Sequence, residues 1–130
     1  MTRTSTMLAV ALFATVVSAP VLSMAADTKP SLYERLGGTG PITAVVGKFV
    51  ANVAADKRIN GYFAKADIPN LKRQLVDQVC QASGGPCTYT GKDMKTTHKG
   101  MKITTAAFNA LVEDLVAALD TFNVPEQEKG

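Results

Sequence analysis

One histidine, two cysteines and no tryptophan occur in this sequence, and the first two scarcities each close a class of chemistry. A single histidine rules out bis-histidine ligation of a metal or haem. It also leaves any Ser-His-Asp or Cys-His mechanism to His98 alone, and no nucleophile-elbow sequence accompanies it. The cysteines, Cys80 and Cys87, are not spaced C-x-x-C, which argues against zinc. Without C-x-x-C-H there is no covalent c-type haem attachment. The glycine pairs lie in no G-x-x-x-x-G-K-[ST] frame, so a phosphate loop is absent. No segment alternates apolar and polar residues with period two for long enough to argue a strand. Lys48, Lys57, Arg58, Lys65, Lys72, Arg73, Lys92, Lys95, Lys99 and Lys102 are scattered rather than run together. They read as solvated helix faces, with no footprint for nucleic acid.

What is present suits one small domain. The 130 residues are 46% hydrophobic and 19% charged, enough for a single core and too few for two domains or a repeat array. Part of that hydrophobicity belongs to residues 1–25, where Arg3 precedes the uncharged stretch from Met7 to Ala19 and small residues follow at Ser23-Met24-Ala25. This is the pattern of a secretory signal peptide cleaved after Ala25. Pro20 interrupts the apolar stretch before the roughly 20 residues that a spanning helix needs, so no stable membrane insertion is expected after cleavage. The expected mature domain is 26–130, exported, to the periplasm in a bacterial host. Without Arg3 its 13 basic residues face 11 acidic ones, a nearly balanced charge.

Export permits a Cys80–Cys87 disulfide, since Gly84-Gly85-Pro86 can turn the chain between them. Closing so short a loop contributes on the order of 2.5 kcal/mol in the chain-entropy picture. Two free thiols are the alternative.

Apolar residues fall at helical spacing in three places. Ile42, Val45, Val46, Phe49 and Val53 form one stripe, and Leu71, Leu75, Val79 and Ala82 a second. Phe108, Leu111, Val112, Leu115, Leu119 and Phe122 form a third, with Thr104 or Thr105 as N-cap. Gly37-Gly38-Thr39-Gly40-Pro41 should end a short helix over Ser31–Leu36 and open the next. Ser83-Gly84-Gly85-Pro86 should end the Leu71 helix. Between Pro86 and Ile103 a loop is expected around one short helix, about Asp93–Lys99, placing Met94 and His98 on one face. The fold class is all-α. Considered alone, His98 is a solvated residue more often than a ligand, but it is suited to one axial bond to a haem iron in a helical pocket.

The motif Leu32-Tyr33-Glu34-Arg35-Leu36-Gly37-Gly38, then Phe49, Tyr62-Phe63, Leu71, Gly84-Gly85-Pro86, Tyr89-Thr90-Gly91, Met94, His98 and Val124-Pro125 occur in that order. From Ser31 to Pro125 the sequence thereby resembles a group I truncated hemoglobin. The resemblance implies a two-over-two helical sandwich, helices B and E against G and H, around haem b. It makes His98 the proximal iron ligand, its second ring nitrogen donating to a nearby carbonyl. It puts Met94 on the proximal face and Phe63 against the haem at the corner after the C helix. Distally, Phe49 is followed by Val50 where many members carry tyrosine, and the E-helix positions over the iron are Leu71 and Leu75. Gln74 is turned about 100° from Leu75, and its reach to a ligand stays open. Tyr89, Lys72, Arg73 and Lys95 are candidates for the haem propionates, with surface solvation as the alternative, favoured for Lys95. Tyr33 and Tyr62 are expected to pack.

The implied function is reversible binding of a diatomic gas, oxygen, nitric oxide or carbon monoxide, outside the cytoplasm. Nitric oxide dioxygenation, which would need a reductase as partner, and weak peroxidase turnover are the enzymatic alternatives. A haem-free helical interaction subunit is the alternative of another class. The family continues past the Val-Pro pair with an apolar H helix, whereas this sequence runs Pro125-Glu-Gln-Glu-Lys-Gly130. One wall of the pocket is therefore expected to be missing, as in a fragment, unless a homodimer or other packing covers Leu111, Leu115 and Phe122.

Overall fold

The structure is a computed structural model that describes residues 14–17 and 29–130. The expected signal segment 1–25 and its cleavage site lie outside the described residues, apart from 14–17, which have no regular structure. Among the described residues every regular element is helical: α1 Leu32–Arg35, α2 Thr39–Ala55, a 3-10 turn Asn60–Phe63, α3 Ile68–Ala82, α4 Met94–His98, α5 Thr105–Thr121 and α6 Glu126–Lys129. No helix among them is long and apolar enough to cross a membrane.

Local chemistry sets the boundaries. At α1 the Ser31 hydroxyl accepts from the Glu34 amide at 3.2 Å while the Glu34 carboxylate accepts from the Ser31 amide at 2.9 Å, a reciprocal capping box. Thr104, not Thr105, caps α5 by accepting from the Ala107 amide at 3.0 Å. The second long helix, α3, begins earlier than its apolar spacing suggests, at Ile68, because Asp67 accepts from the Asn70 amide at 3.1 Å and Pro69 stands in the first turn.

The central helix is α2, packed against α3 on one side and α5 on the other. Ile42, Val46, Val50 and Val53 are its buried residues, spaced to lie along one face. Tyr33, Leu36, Phe49, Ile68, Leu75 and Val76 close over Ile42, Val46 and Val50. Phe49, Phe63, Ala107 and Leu111 pack around the neighbouring cluster of Val53, Ile59 and Ala110. The buried face of α3 is rotated from the expected stripe: Val79 is exposed, and Val76 and the wholly buried Cys80 lie inward instead.

The stripe on α5 is corrected more strongly. Its buried residues are Ala110 and Ala118, whereas Phe108 (57% exposed), Val112, Leu115 (38%) and Phe122 face outward. Small side chains bring the α5 backbone close to α2, and Asn52 reaches across to donate to the Asp114 carbonyl at 3.1 Å. Leu111, expected to need outside cover, is half-buried on the Val53 cluster. After α5 the chain forms one helical turn, α6, which folds back through Glu128 to Arg35 at 3.1 Å and Lys129 to Asp120 at 2.5 Å. Three of the four helices of a two-over-two sandwich are thus long here. Helices α3 and α5 make no contact comparable to those each makes with α2.

Candidate functional site

An apolar recess lies where α2, the 3-10 turn and α3 meet. Phe49, Val50, Val53 and Ala54 line it from α2, Phe63 from the turn, and Ile68, Leu71 and Leu75 from α3. It encloses about 20 Å³, room for about one water-sized molecule, and its lining offers no polar surface. Five sequence-predicted site residues, Phe49, Val50, Phe63, Leu71 and Leu75, are brought together here. Val53, Ala54 and Ile68 are additions; the place of Val53 one turn after Phe49, and of Ile68 one turn before Leu71, could have signalled their part.

The other predicted residues, Tyr89, Met94 and His98, belong to the segment between α3 and α5 and do not line the recess. Asp93 caps α4, accepting from the Thr96 amide at 2.9 Å and the Thr96 hydroxyl at 2.7 Å, and these bonds hold its carboxyl below the usual range. One turn later the His98 ring Nδ1 lies 2.7 Å from the Met94 carbonyl. A carbonyl can only accept, so Nδ1 carries a proton, and Nε2 is the nitrogen left to bind a metal. That is the ring state a metal takes up. The ring is exposed, and α4 packs on none of the long helices as they pack on α2. Among the described residues no three His, Cys, Asp or Glu side chains gather to hold a bare ion.

Neither Gln74 nor Tyr89 supplies a polar group to the recess. Gln74 is half-buried, with its Oε1 sequestered and unpartnered. The Tyr89 hydroxyl donates to the Lys92 carbonyl at 2.5 Å, and its amide donates to Gln81 Oε1 at 2.6 Å. Arg73 donates to Asn70 at 2.8 Å. The Tyr33 ring packs on the core with its hydroxyl 2.8 Å from that of Thr39, whereas Tyr62, expected to pack, is 37% exposed.

Charged groups secure the wall next to Val53 and Ala54. The Arg58 guanidinium meets Asp56 at 2.9 Å and Glu113 at 2.8 Å, joining the end of α2 to α5. Its hydrogen bonds bring the Asp56 carboxyl down to about 2. Burial, and then neighbouring Asp56, push Asp114 up, and one of its oxygens is buried without a partner.

The arrangement suits a flat apolar group with one metal coordination site. The recess offers the apolar contact, and His98, on a separate segment, offers the coordinating nitrogen.

Comparison with known proteins agrees. The model of the family described as bacterial-like globin matches residues 31–130. A group 1 truncated hemoglobin of Tetrahymena thermophila is 35% identical over 99 residues, covering 76% of this chain and 82% of the relative. Another, from Mycolicibacterium paratuberculosis, is 36% identical over 97 residues, 75% of this chain and 71% of that one. The crystal structure of the Tetrahymena pyriformis truncated hemoglobin in its Fe(III) form superposes with a TM-score of 0.74 at 34% identity, covering 77% of this chain and 86% of that chain. The 2/2 hemoglobin of a Synechococcus, in the cyanomet state and with covalently attached heme, gives 0.72 at 33% identity, covering 77% and 85%. With a family model spanning the whole folded region and relatives matched over most of their length, the chain belongs to the bacterial-like globins, in their truncated, two-over-two branch.

Proposed function

We propose that this protein is an exported haem globin that binds a diatomic gas reversibly in an apolar distal pocket and releases oxygen quickly. Haem b is the cofactor of the family, and it supplies the iron at which a gas ligand binds. His98 holds that iron through Nε2; the Met94 carbonyl, by occupying Nδ1, fixes the tautomer and the ring orientation. Phe49, Val50, Phe63, Leu71 and Leu75 would give a bound ligand an apolar surrounding that excludes water.

The carrying observation is the lining of the recess, which has no donor for a polarised ligand. A charge-assisted hydrogen bond contributes about 1.5–3 kcal/mol, or roughly tenfold to a hundredfold in affinity. Without one, oxygen loses more than carbon monoxide or nitric oxide, which depend less on a donor. The same lining lacks the acid or base that peroxidase turnover uses, which favours gas binding over that activity. Oxygen delivery and nitric oxide handling both fit the pocket; nitric oxide dioxygenation would in addition draw electrons from a reductase.

Stopped-flow oxygen dissociation from the ferrous haem-loaded protein tests the reading, with His98→Ala as control. Fast release and loss of the histidine-ligated spectrum in the variant are expected. Release as slow as that of a globin with a distal tyrosine, or an unchanged spectrum in His98→Ala, would refute it. Export rests on the pattern of residues 1–25, and the N-terminal residue of the protein recovered from the periplasm tests it; a chain retained in the cytoplasm with Met1 intact refutes it.

A further inference from the structure

Helix α4 carries His98 yet makes no contact with the long helices comparable to those they make with α2, so the chain on either side of it must do much to set its position. The connection to α3 is continuous. Cys80, 0% exposed at the end of α3, is bonded to Cys87 in the following loop. The turn between them is close-packed: a Cβ on Gly85 would lie 2.5 Å from the Tyr33 ring and 2.7 Å from Cys80 Sγ. Two residues past Cys87, the Tyr89 amide donates to Gln81 Oε1, which ties the loop a second time to the last turn of α3. The Tyr89 ring lies over Gly91, where any Cβ would collide with it, and its hydroxyl donates to the Lys92 carbonyl. Asp93 follows as the cap of α4, and the Met94 carbonyl holds the imidazole. Between Tyr89 and the Thr104 cap of α5, the hydrogen bonds are the local ones of this segment.

We propose that the Cys80–Cys87 bridge, Gln81 and Tyr89 form a strut that positions His98, and that a dithiol reductant loosens the hold on haem by cutting it. This rests on His98 being the iron ligand. Cys80 is wholly buried and Cys87 only half-buried, so the reductant thiolate attacks at Cys87 and the Cys80 sulfur leaves. The second thiol of the reductant then displaces Cys87. The S–S bond gains two electrons and two protons, giving the Cys80 and Cys87 thiols, and the dithiol becomes a disulfide. Cys80, Gln81, Cys87 and Tyr89 are positioning residues, since none of them lines the recess.

The test uses the full chain loaded with hemin: oxidised, reduced with dithiothreitol, and as Tyr89→Phe, the double variant Cys80→Ala/Cys87→Ser, and His98→Ala. Haem transfer to excess apomyoglobin gives the loss rate, and resonance Raman of the ferrous form gives the iron–histidine stretch. Amide exchange on the haem-free protein compares 87–103 with α2. Reduction and the double variant are expected to speed haem loss by about tenfold or more, on the scale of closing a loop this short. Tyr89→Phe should speed it roughly fivefold, as one hydrogen bond implies. The iron–histidine band should shift or broaden, and exchange should rise in 87–103 while α2 stays protected. Unchanged loss rate and band on reduction overturn the strut. So does a loss of protection that includes α2, since the bridge would then be only a general stabiliser. If His98→Ala keeps the histidine-ligated spectrum, the ligand assignment falls and the strut with it; if it loses that spectrum while reduction changes nothing, only the strut falls.

Discussion

Placing a donor in the recess is the most direct way to test how its lining controls a ligand, and Leu75→Gln is the substitution the geometry permits. Leu75 lines the recess from α3 while packing on the Ile42, Val46 and Val50 cluster, and glutamine is of similar volume. The alternative of restoring a tyrosine at Val50 fails on space. About 20 Å³ of room cannot take an aromatic ring at a residue only 5% exposed, so Val50→Tyr should cost about 1–3 kcal/mol in overpacking before any ligand effect is seen. For Leu75→Gln two terms oppose each other. The haem-free protein loses about 1–3 kcal/mol from a buried amide without partners. The ligated protein gains about 1.5–3 kcal/mol where the amide N–H meets the partial negative charge on oxygen, which slows release roughly tenfold to a hundredfold. Stopped-flow oxygen release together with flash-photolysis carbon monoxide rebinding separates the effects, because only oxygen should respond strongly. An unchanged oxygen off-rate in a variant that still folds and binds haem would refute the claim that the native recess lacks a donor. An equal change for both gases would trace the effect to altered access instead.

Four further outcomes follow from the packing and the charges. Gly85→Ala should destabilise the fold by about 1–3 kcal/mol in urea unfolding, because its Cβ meets the Tyr33 ring and Cys80 Sγ inside contact distance. Asp114→Asn should raise the melting temperature at neutral pH. A carboxyl whose pKa is raised by folding favours the folded state only while protonated, so its contribution is lost as pH rises through the raised value, and the advantage of the amide should vanish near pH 3. Asp56 has the opposite sign: lowered to about 2 by Arg58, it stabilises above the ordinary carboxylate range and that contribution is lost as pH falls from about 4 towards 2, so Asp56→Asn should lower the melting temperature at pH 7 and not at pH 2. Leu115→Asn should change haem-free stability by less than about 0.5 kcal/mol, since the side chain is already exposed, while haem loss accelerates several-fold; equal effects on both would refute a cofactor-facing role.

Residue chemistry made some elements legible and hid others. The caps at Ser31, Asp93 and Thr104 are written in side chains that have few other uses where they stand, and they locate α1, α4 and α5 closely. Asp67-Ile-Pro stands ahead of the apolar stripe that begins at Leu71, which hides the first turn of α3. Counting Cys80 as a thiol rather than as a small apolar residue turns the inferred inner face of that helix from Val76 to Val79. On α5 the periodicity of the large residues is real, but periodicity marks an apolar face without saying what covers it. The buried residues are Ala110, against Val53, and Ala118, and alanine gives almost no signal in a hydrophobic pattern. For the site, Met94 and His98 are visible as neighbours on one turn, whereas the acceptor at Nδ1 is the Met94 backbone, which no side-chain pattern encodes. The gathering of Phe49, Val50, Phe63, Leu71 and Leu75 crosses three elements and was available only through likeness to the family.

The two-sidedness of α5 reaches beyond the pocket to the life of the chain before it meets its cofactor. Its alanines hold the helix in place whether or not haem is present, while Phe108, Val112, Leu115 and Phe122 stay wet until something flat and greasy covers them. An outward apolar stripe of this kind marks a surface that contact with another group would take out of water. Replacements that keep the stripe large and apolar leave the scaffold untouched, whereas enlarging Ala110 would press on Val53 of α2, so the same seventeen-residue helix combines a tolerant surface with an intolerant one.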